Sequence, residues 1–139
     1  MTRKLPDNLG GRKIGKYKGH LFRSLYEYSF YKLLESRGIN LKEEVTHEPV
    51  ALPYVIRGKR RSYFPDFLVR SDRMLVEIKS TWELGKRRGK LIRAAKFAAA
   101  RLFCEANGLT FRVMTEKDFV ILTTKDAEAD VDVRWIRNR

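Results

Sequence analysis

Arg61–Thr81 reads RSYFPDFLVRSDRMLVEIKST, and this stretch decides the fold. Two apolar runs, Tyr63–Arg70 and Arg73–Ser80, flank Ser71-Asp72, whose residue types suit a two-residue hairpin turn. If Arg70 pairs with Arg73, counting back sets Leu68 opposite Leu75 and Asp66 opposite Glu77. Directly opposed residues hold their Cβ atoms ~4.5–5.5 Å apart. Residues two apart on a strand share a face, so Glu77 and Lys79 project together. Phe64, Leu68 and Leu75 fall on one face, and Phe67, Val69, Met74, Val76 and Ile78 on the other. Apolar residues on both faces mark a central strand pair, where charge is rarely kept without a partner or a task. Two carboxylates that close repel unless a cation sits between them. A hard ion such as Mg²⁺ takes oxygen from one or two carboxylates plus substrate phosphate. The pattern points to metal-dependent hydrolysis of phosphodiesters. The plainer alternative is a strand pair with a surface acid and an ordinary Glu–Lys neighbourhood.

Composition narrows the substrate. The 139 residues include 30 Lys+Arg against 17 Asp+Glu, a net charge of +13. That balance suits a polyanion, nucleic acid before anionic membrane. A hydrophobic content of 43% argues against a purely disordered basic tail protein. The length suits one domain with a real core. No apolar run is long enough to span a bilayer, and residues 1–19 lack the apolar segment of a secretory signal. Cys104, the single cysteine, is read as a small core residue, which fits a reducing, cytoplasmic setting. With only His20 and His47 besides, no zinc-site spacing exists. No triad and no phosphate-cradling glycine loop is visible.

Along the chain, residues 1–19 read as a flexible basic arm, 20–124 as the core and 125–139 as a tail. Ser24–Arg37 has helical apolar spacing, with Gly38 as its stop. Ser24 and Glu27 form an S-x-x-E capping pattern, which gives Glu27 a purely structural reading. Leu41–Ile56 reads as an edge or interrupted strand around Pro49 and Pro53. Arg57, Lys59, Arg60 and Arg61 read as a cationic turn beside the Asp66 strand. The longest helical pattern covers 86–107, with Leu91, Ala95, Ala98 and Leu102 beside Ile92, Ala99 and Phe103 as its apolar stripe. Its leading turns carry Lys86, Arg87, Arg88, Lys90, Arg93 and Lys96, a concentration that a bound phosphate would compensate. Strands are expected over Leu109–Thr115, parallel to a sheet neighbour, and over Phe119–Thr123. Trp135 and Ile136 are expected exposed unless they dock.

Asp66, Glu77 and Lys79 match the signature of the PD-(D/E)XK nuclease superfamily, which the chain resembles over about residues 15–120. Phe22-Arg23-Ser24-Leu25-Tyr26-Glu27, the helix ending at Gly38, Pro53-Tyr54-Val55-Ile56 and Tyr63-Phe64-Pro65-Asp66-Phe67 look like the endonuclease I type of phage junction-resolving enzymes. Gly15-Lys16-Tyr17-Lys18-Gly19 with Arg23-Ser24 and Glu27 also resembles the head-completion nucleases of tailed phages. The TnsA nucleases share the general scheme. This resemblance implies an α/β, restriction-endonuclease-like core with a central mixed sheet flanked by helices. It implies an endodeoxyribonuclease using Mg²⁺ or Mn²⁺, with Asp66, Glu77 and the Ile78 carbonyl as ligands. Glu27 would assist a second ion, and Lys79 would orient or help deprotonate the attacking water. DNA is the expected partner, a membrane is not, and a homodimer stays open. Nicking, junction resolution and double-strand cutting also stay open. The rival readings are a DNA-binding virion assembly or head-completion factor on the same fold, and an RNase or transposase subunit using the same site.

Overall fold

The computed structural model describes residues 14–136. The elements run β1 (Gly15–Tyr17), β2 (His20–Phe22), α1 (Leu25–Ser36), α2 (Leu41–Glu44), β3 (Val45–His47), β4 (Leu52–Ile56), β5 (Lys59–Tyr63), β6 (Phe67–Val69), β7 (Met74–Ile78), α3 (Thr81–Gly85), α4 (Lys90–Asn107), β8 (Thr110–Met114), α5 (Thr124–Ala129) and β9 (Val133–Trp135). They belong to two compact units. One joins residues 14–41 to 116–136, and the other is Lys42–Thr115.

The contiguous unit is built on a mixed sheet of order β3-β6-β7-β8, antiparallel except for the parallel pair β7/β8. A parallel neighbour needs a long crossover, which α3 and α4 supply. The β6–β7 ladder sets Phe67 opposite Val76 and Leu68 opposite Leu75, so its continuation places Asp66 opposite Glu77, as the alternation predicts. All five residues of β7 are buried, which explains why the run is apolar on both faces. The turn covers 70–73: the Arg73 N–H donates to the Arg70 carbonyl at 3.1 Å, and Arg73 takes a left-handed φ of 50°.

Three expectations need correction in this unit. The run Tyr63–Arg70 is two strands, because Tyr63 ends β5 opposite Leu52 and Pro65, with no N–H to donate, separates it from β6. The cationic turn is shorter than expected. Arg57 and Gly58, at φ 51° and 75°, make a tight two-residue turn of the kind glycine favours, while Lys59, Arg60 and Arg61 are exposed residues of β5. The helix over 86–107 is also two elements, since Lys86–Gly89 lies between α3 and α4. Lys86, Arg87 and Arg88 therefore lead into α4 rather than belonging to it.

The apolar stripe of α4 sits about one position round from the expected one. Ala100 and Cys104 are its buried residues, while Leu91 and Leu102 are 67% and 69% exposed. Six alanines blur the azimuth of this helix. The small side chains at 100 and 104 let α4 lie close to Leu75 of the sheet and to Leu52, Tyr54 and Tyr63 of the β4–β5 ribbon. Burying a side chain such as Leu75 contributes about 1.5–3 kcal/mol. Gly108 ends the helix in a left-handed conformation, as expected.

The other unit carries a sheet of order β2-β1-β9 with α1 and α5. The expected strand over Phe119–Thr123 is not one. This segment is irregular and leads into α5, with Phe119 buried against Phe30 and Thr123 capping α5. The tail is not loose either: β9 pairs with β1, and Trp135 packs edge-on against Phe22 at 5.7 Å. Gly15 lies between two neighbours, and a Cβ there would stand 2.6 Å from the Phe22 ring and 2.9 Å from the Arg134 carbonyl. Of the expected basic arm, residues 1–13 lie outside the described residues and Gly15–Tyr17 is β1.

Candidate active site

One residue before β6, the Asp66 carbonyl accepts the Glu48 N–H at 2.8 Å while its side chain turns to β7. Asp66 Oδ2 accepts the Ile78 N–H at 2.7 Å. Lys79 donates its own N–H to Met114 on the other edge of β7, so the strand alternates in the ordinary way. The Ile78 carbonyl shares the edge of its N–H and faces the Asp66 side.

Glu77 is 6% exposed, on the β7 face that α4 covers. Burial pushes its carboxyl above the usual carboxylate range. The Tyr63 hydroxyl, Lys79, the Asp66 N–H and Lys96 oppose that push. Tyr63 donates to Glu77 Oε1 at 2.7 Å. Burial and the neighbouring carboxylate carry the Tyr63 hydroxyl far above the ordinary phenol range, so it stays a donor. Lys79 Nζ lies 3.7 Å from Glu77 Oε2 and 3.8 Å from Glu83 Oε2. Ser80 fixes that second acid by capping α3, accepting the Glu83 N–H at 3.1 Å.

A cavity of about 190 Å³ opens over this group, lined by Glu77, Lys79, Gly89, Arg93, Lys96 and aromatic or apolar neighbours. The donor set fits a hard divalent cation. Asp66, Glu77 and the Ile78 carbonyl offer oxygen only, and a carboxylate accepting one hydroxyl bond keeps further lone pairs. Among the described residues no group of three or more His, Cys, Asp and Glu gathers to hold a metal. Such a site would therefore rest on two carboxylates with water and substrate completing it, as Mg²⁺ tolerates.

The expected phosphate contacts divide. Arg57, Arg87, Arg88 and Lys90 line one basic pocket of about 560 Å³, which joins the β4–β5 turn to the start of α4. Lys86 stacks its ammonium 3.9 Å above the Trp82 ring. Arg93 turns its Nη2 inward, donating to the carbonyls of Leu84 at 3.1 Å and Lys86 at 2.8 Å, and so ties α3 to α4. Lys59, Arg60 and Arg61 stand along β5, outside that pocket.

Glu27 belongs to the other unit. It is buried at the start of α1, where Ser24 accepts its N–H at 3.2 Å and its Oε1 accepts the Arg23 N–H at 2.8 Å. The capping pattern thus exists with the carboxylate reaching one residue further back than a capping box requires.

Tyr63 and Glu83 were missed as site residues by the sequence reading, and Lys96 was read only among the phosphate-facing cations of its helix. Lys96 had a signal: it stands three residues after Arg93 and four before Ala100, so one helix face carries all three. Tyr63 had none without the break at Pro65, since a continuous strand assigns it to another pairing.

A family model described as the TnsA-like endonuclease N-terminal domain matches residues 43–116, just over half of the chain and nearly all of the contiguous unit. The chain belongs to the TnsA-like endonuclease N-terminal family. Endonuclease I of Escherichia phage T7 is 37% identical over 83 residues, which cover 60% of this chain and 49% of that protein. The chain spans about half the length of this curated relative. No solved structure matches it significantly. Membership in the TnsA-like family agrees with the expected PD-(D/E)XK resemblance and α/β fold. The residues its signature picks out, Asp66, Glu77 and Lys79, are brought together at one end of β7. No helix among the described residues is long and apolar enough to cross a membrane.

Proposed function

We propose that this chain is a divalent-metal-dependent endonuclease that hydrolyses DNA phosphodiesters. The observation that carries the reading is Asp66 and Glu77 in cross-strand register, with Lys79 beside Glu77 over a cavity. Family membership and the likeness to a phage endonuclease support it. Asp66, Glu77 and the Ile78 carbonyl would hold Mg²⁺ or Mn²⁺, which when bound supplies Lewis-acid stabilisation of the phosphoryl oxygens. Glu27 would add a carboxylate for a second ion.

Lys79 orients the attacking water toward phosphorus and offsets the charge that builds on the phosphate. The water oxygen forms a new P–O bond as its proton passes to solvent, and the P–O ester bond to the leaving sugar oxygen breaks, that oxygen taking up a proton from solvent. Tyr63 opposes the upward push of burial on Glu77 and points its carboxylate, while Ser80 and Glu83 limit where Lys79 can swing. The basic pocket at Arg57, Arg87, Arg88 and Lys90, with Lys86 and the β5 cations, would track the phosphate backbone. Two copies acting together would allow paired cuts on two strands.

The test is a magnesium-dependent assay over linear duplex, supercoiled plasmid and four-way junction, which also separates the subtypes. Asp66→Asn, Glu77→Gln and Lys79→Ala should each lower cleavage by ~10³-fold, comparable to losing a key transition-state group. Duplex binding should persist in all three, because it rests on distributed cations. Full activity in Glu77→Gln would sink the proposal.

A further inference from the structure

Lys96 has an unusual position for a helix lysine. It is half-buried one turn before the fully buried Ala100, and it lines the same cavity as Glu77 and Lys79. Its ammonium lies 5.7 Å from the centroid of the Tyr63 ring, the ring whose hydroxyl holds Glu77. It is close enough to act on the charge of Glu77, yet among the described residues it makes no direct ion pair. Half-burying an ammonium over an aromatic face, without a hydrogen-bonded counter-ion, loses hydration that the ring only partly replaces.

The cations of this cavity, Lys79, Arg93 and Lys96, outnumber its one carboxylate. Lys79 is shared between Glu77 and Glu83, and Arg93 is engaged with two backbone carbonyls. Among the described residues, Lys96 alone of the three has no acceptor for its ammonium. A phosphodiester brings one negative charge and two non-bridging oxygens, which is what this ammonium lacks.

We infer that Lys96 is a second active-site lysine, which donates to a non-bridging oxygen of the scissile phosphate across the cavity from Lys79. The inference rests on the nuclease reading and deepens it: one lysine comes from the sheet and one from the covering helix, so the phosphate is gripped from two sides. No proton leaves Lys96. It neutralises charge that grows on the phosphate as the water attacks, and it fixes how far α4 stands from the bound strand.

Single-turnover cleavage of supercoiled plasmid with Mg²⁺ is to be compared for the full chain, Lys96→Ala and Lys96→Arg, with duplex affinity and melting temperature alongside. Loss of one transition-state donor should lower the rate of Lys96→Ala by ~10²-fold. Its affinity for duplex should change little, because the basic pocket still binds the backbone. Lys96→Arg keeps the charge and should recover most of the rate. A rate near that of the unmodified chain in Lys96→Ala overturns the inference, as does a shared drop in melting temperature with no rescue by arginine. A second readout needs no cleavage. Reductive methylation of the unmodified chain in EDTA, with and without a short duplex, should show Lys96 protected by duplex while exposed Lys42 stays reactive. Equal reactivity of Lys96 in both states overturns it. Absence of cleavage by the unmodified chain would overturn the nuclease reading, and the protection of Lys96 would still decide the phosphate contact.

Discussion

The Tyr63 hydroxyl donates to Glu77 Oε1 at 2.7 Å, joining β5 to the C-terminal end of β7 across fourteen residues of chain. Tyr63→Phe keeps the ring against Phe97 and Ala100 but removes that donor. Partners that orient a metal ligand typically carry ~10–100-fold in metal affinity. Mn²⁺ affinity by calorimetry should therefore weaken by ~10-fold or more, and the metal-free protein should lose ~1–3 kcal/mol for the buried carboxylate left with one donor fewer. Unchanged Mn²⁺ affinity would show that Tyr63 only fills space.

Glu27→Gln separates two roles. The amide oxygen still accepts the Arg23 N–H, so melting temperature should hold. Turnover should fall if Glu27 serves a second metal ion. Equal turnover with equal stability makes Glu27 a helix-start residue and nothing more.

Neutralising Arg87, Arg88 and Lys90 should weaken binding to all duplex sequences alike, since phosphate contacts carry no base code. Arg57 lines the same pocket from the β4–β5 turn, and its removal should act in the same direction. The plot of log K against log salt should flatten by up to ~0.9 for each phosphate no longer neutralised. An unchanged slope would reduce these residues to solubilising charge.

Asp130 anchors the other unit, accepting from Tyr28 at 2.7 Å and from Lys32 at 3.1 Å. Burial alone would raise its carboxyl, but the Tyr28 hydroxyl, the Asp132 N–H and Lys32 outweigh it and hold it below the usual range. A depressed carboxyl stabilises the fold above its unfolded pKa of ~3.9 and loses that contribution as pH falls through the folded value. Asp130→Asn should cost ~1–3 kcal/mol at neutral pH, and the gap from the unmodified chain should close below about pH 4. A gap independent of pH would show that the carboxylate's charge is not what matters.

The hairpin was legible because β6 and β7 are buried on two sides, so every residue reports its face and the register follows from one turn. Asp66, Glu77 and Lys79 stood out as charges in apolar runs. β5 was illegible for the opposite reason: Lys59, Arg60 and Arg61 are exposed, and Tyr63 alone announces a buried strand end. That Lys96 stands beside Glu77, apart from the other helix cations, was obscured by the alanines around it, which leave the azimuth of α4 open. The sequence from Phe119 looks strand-like through Phe119, Val120 and Ile121, yet its packing on Phe30 replaces any ladder. β9 is three residues long, too short for a pattern, and only pairing with a strand more than a hundred residues earlier makes it a strand.

That distant pairing has a bearing on how the protein is made. Every strand and helix around Asp66 and Glu77 comes from one unbroken stretch ending at Thr115, so this half can assemble as soon as it leaves the ribosome. The β1–β9 sheet cannot, because its middle strand is synthesised near the start and its edge near the finish. Until residue 135 emerges, Gly15–Tyr17 is an unpaired edge beside a growing, strongly basic chain. Val133–Trp135 complete that sheet, so until they are translated the half that holds Asp66 and Glu77 can be folded with its companion open.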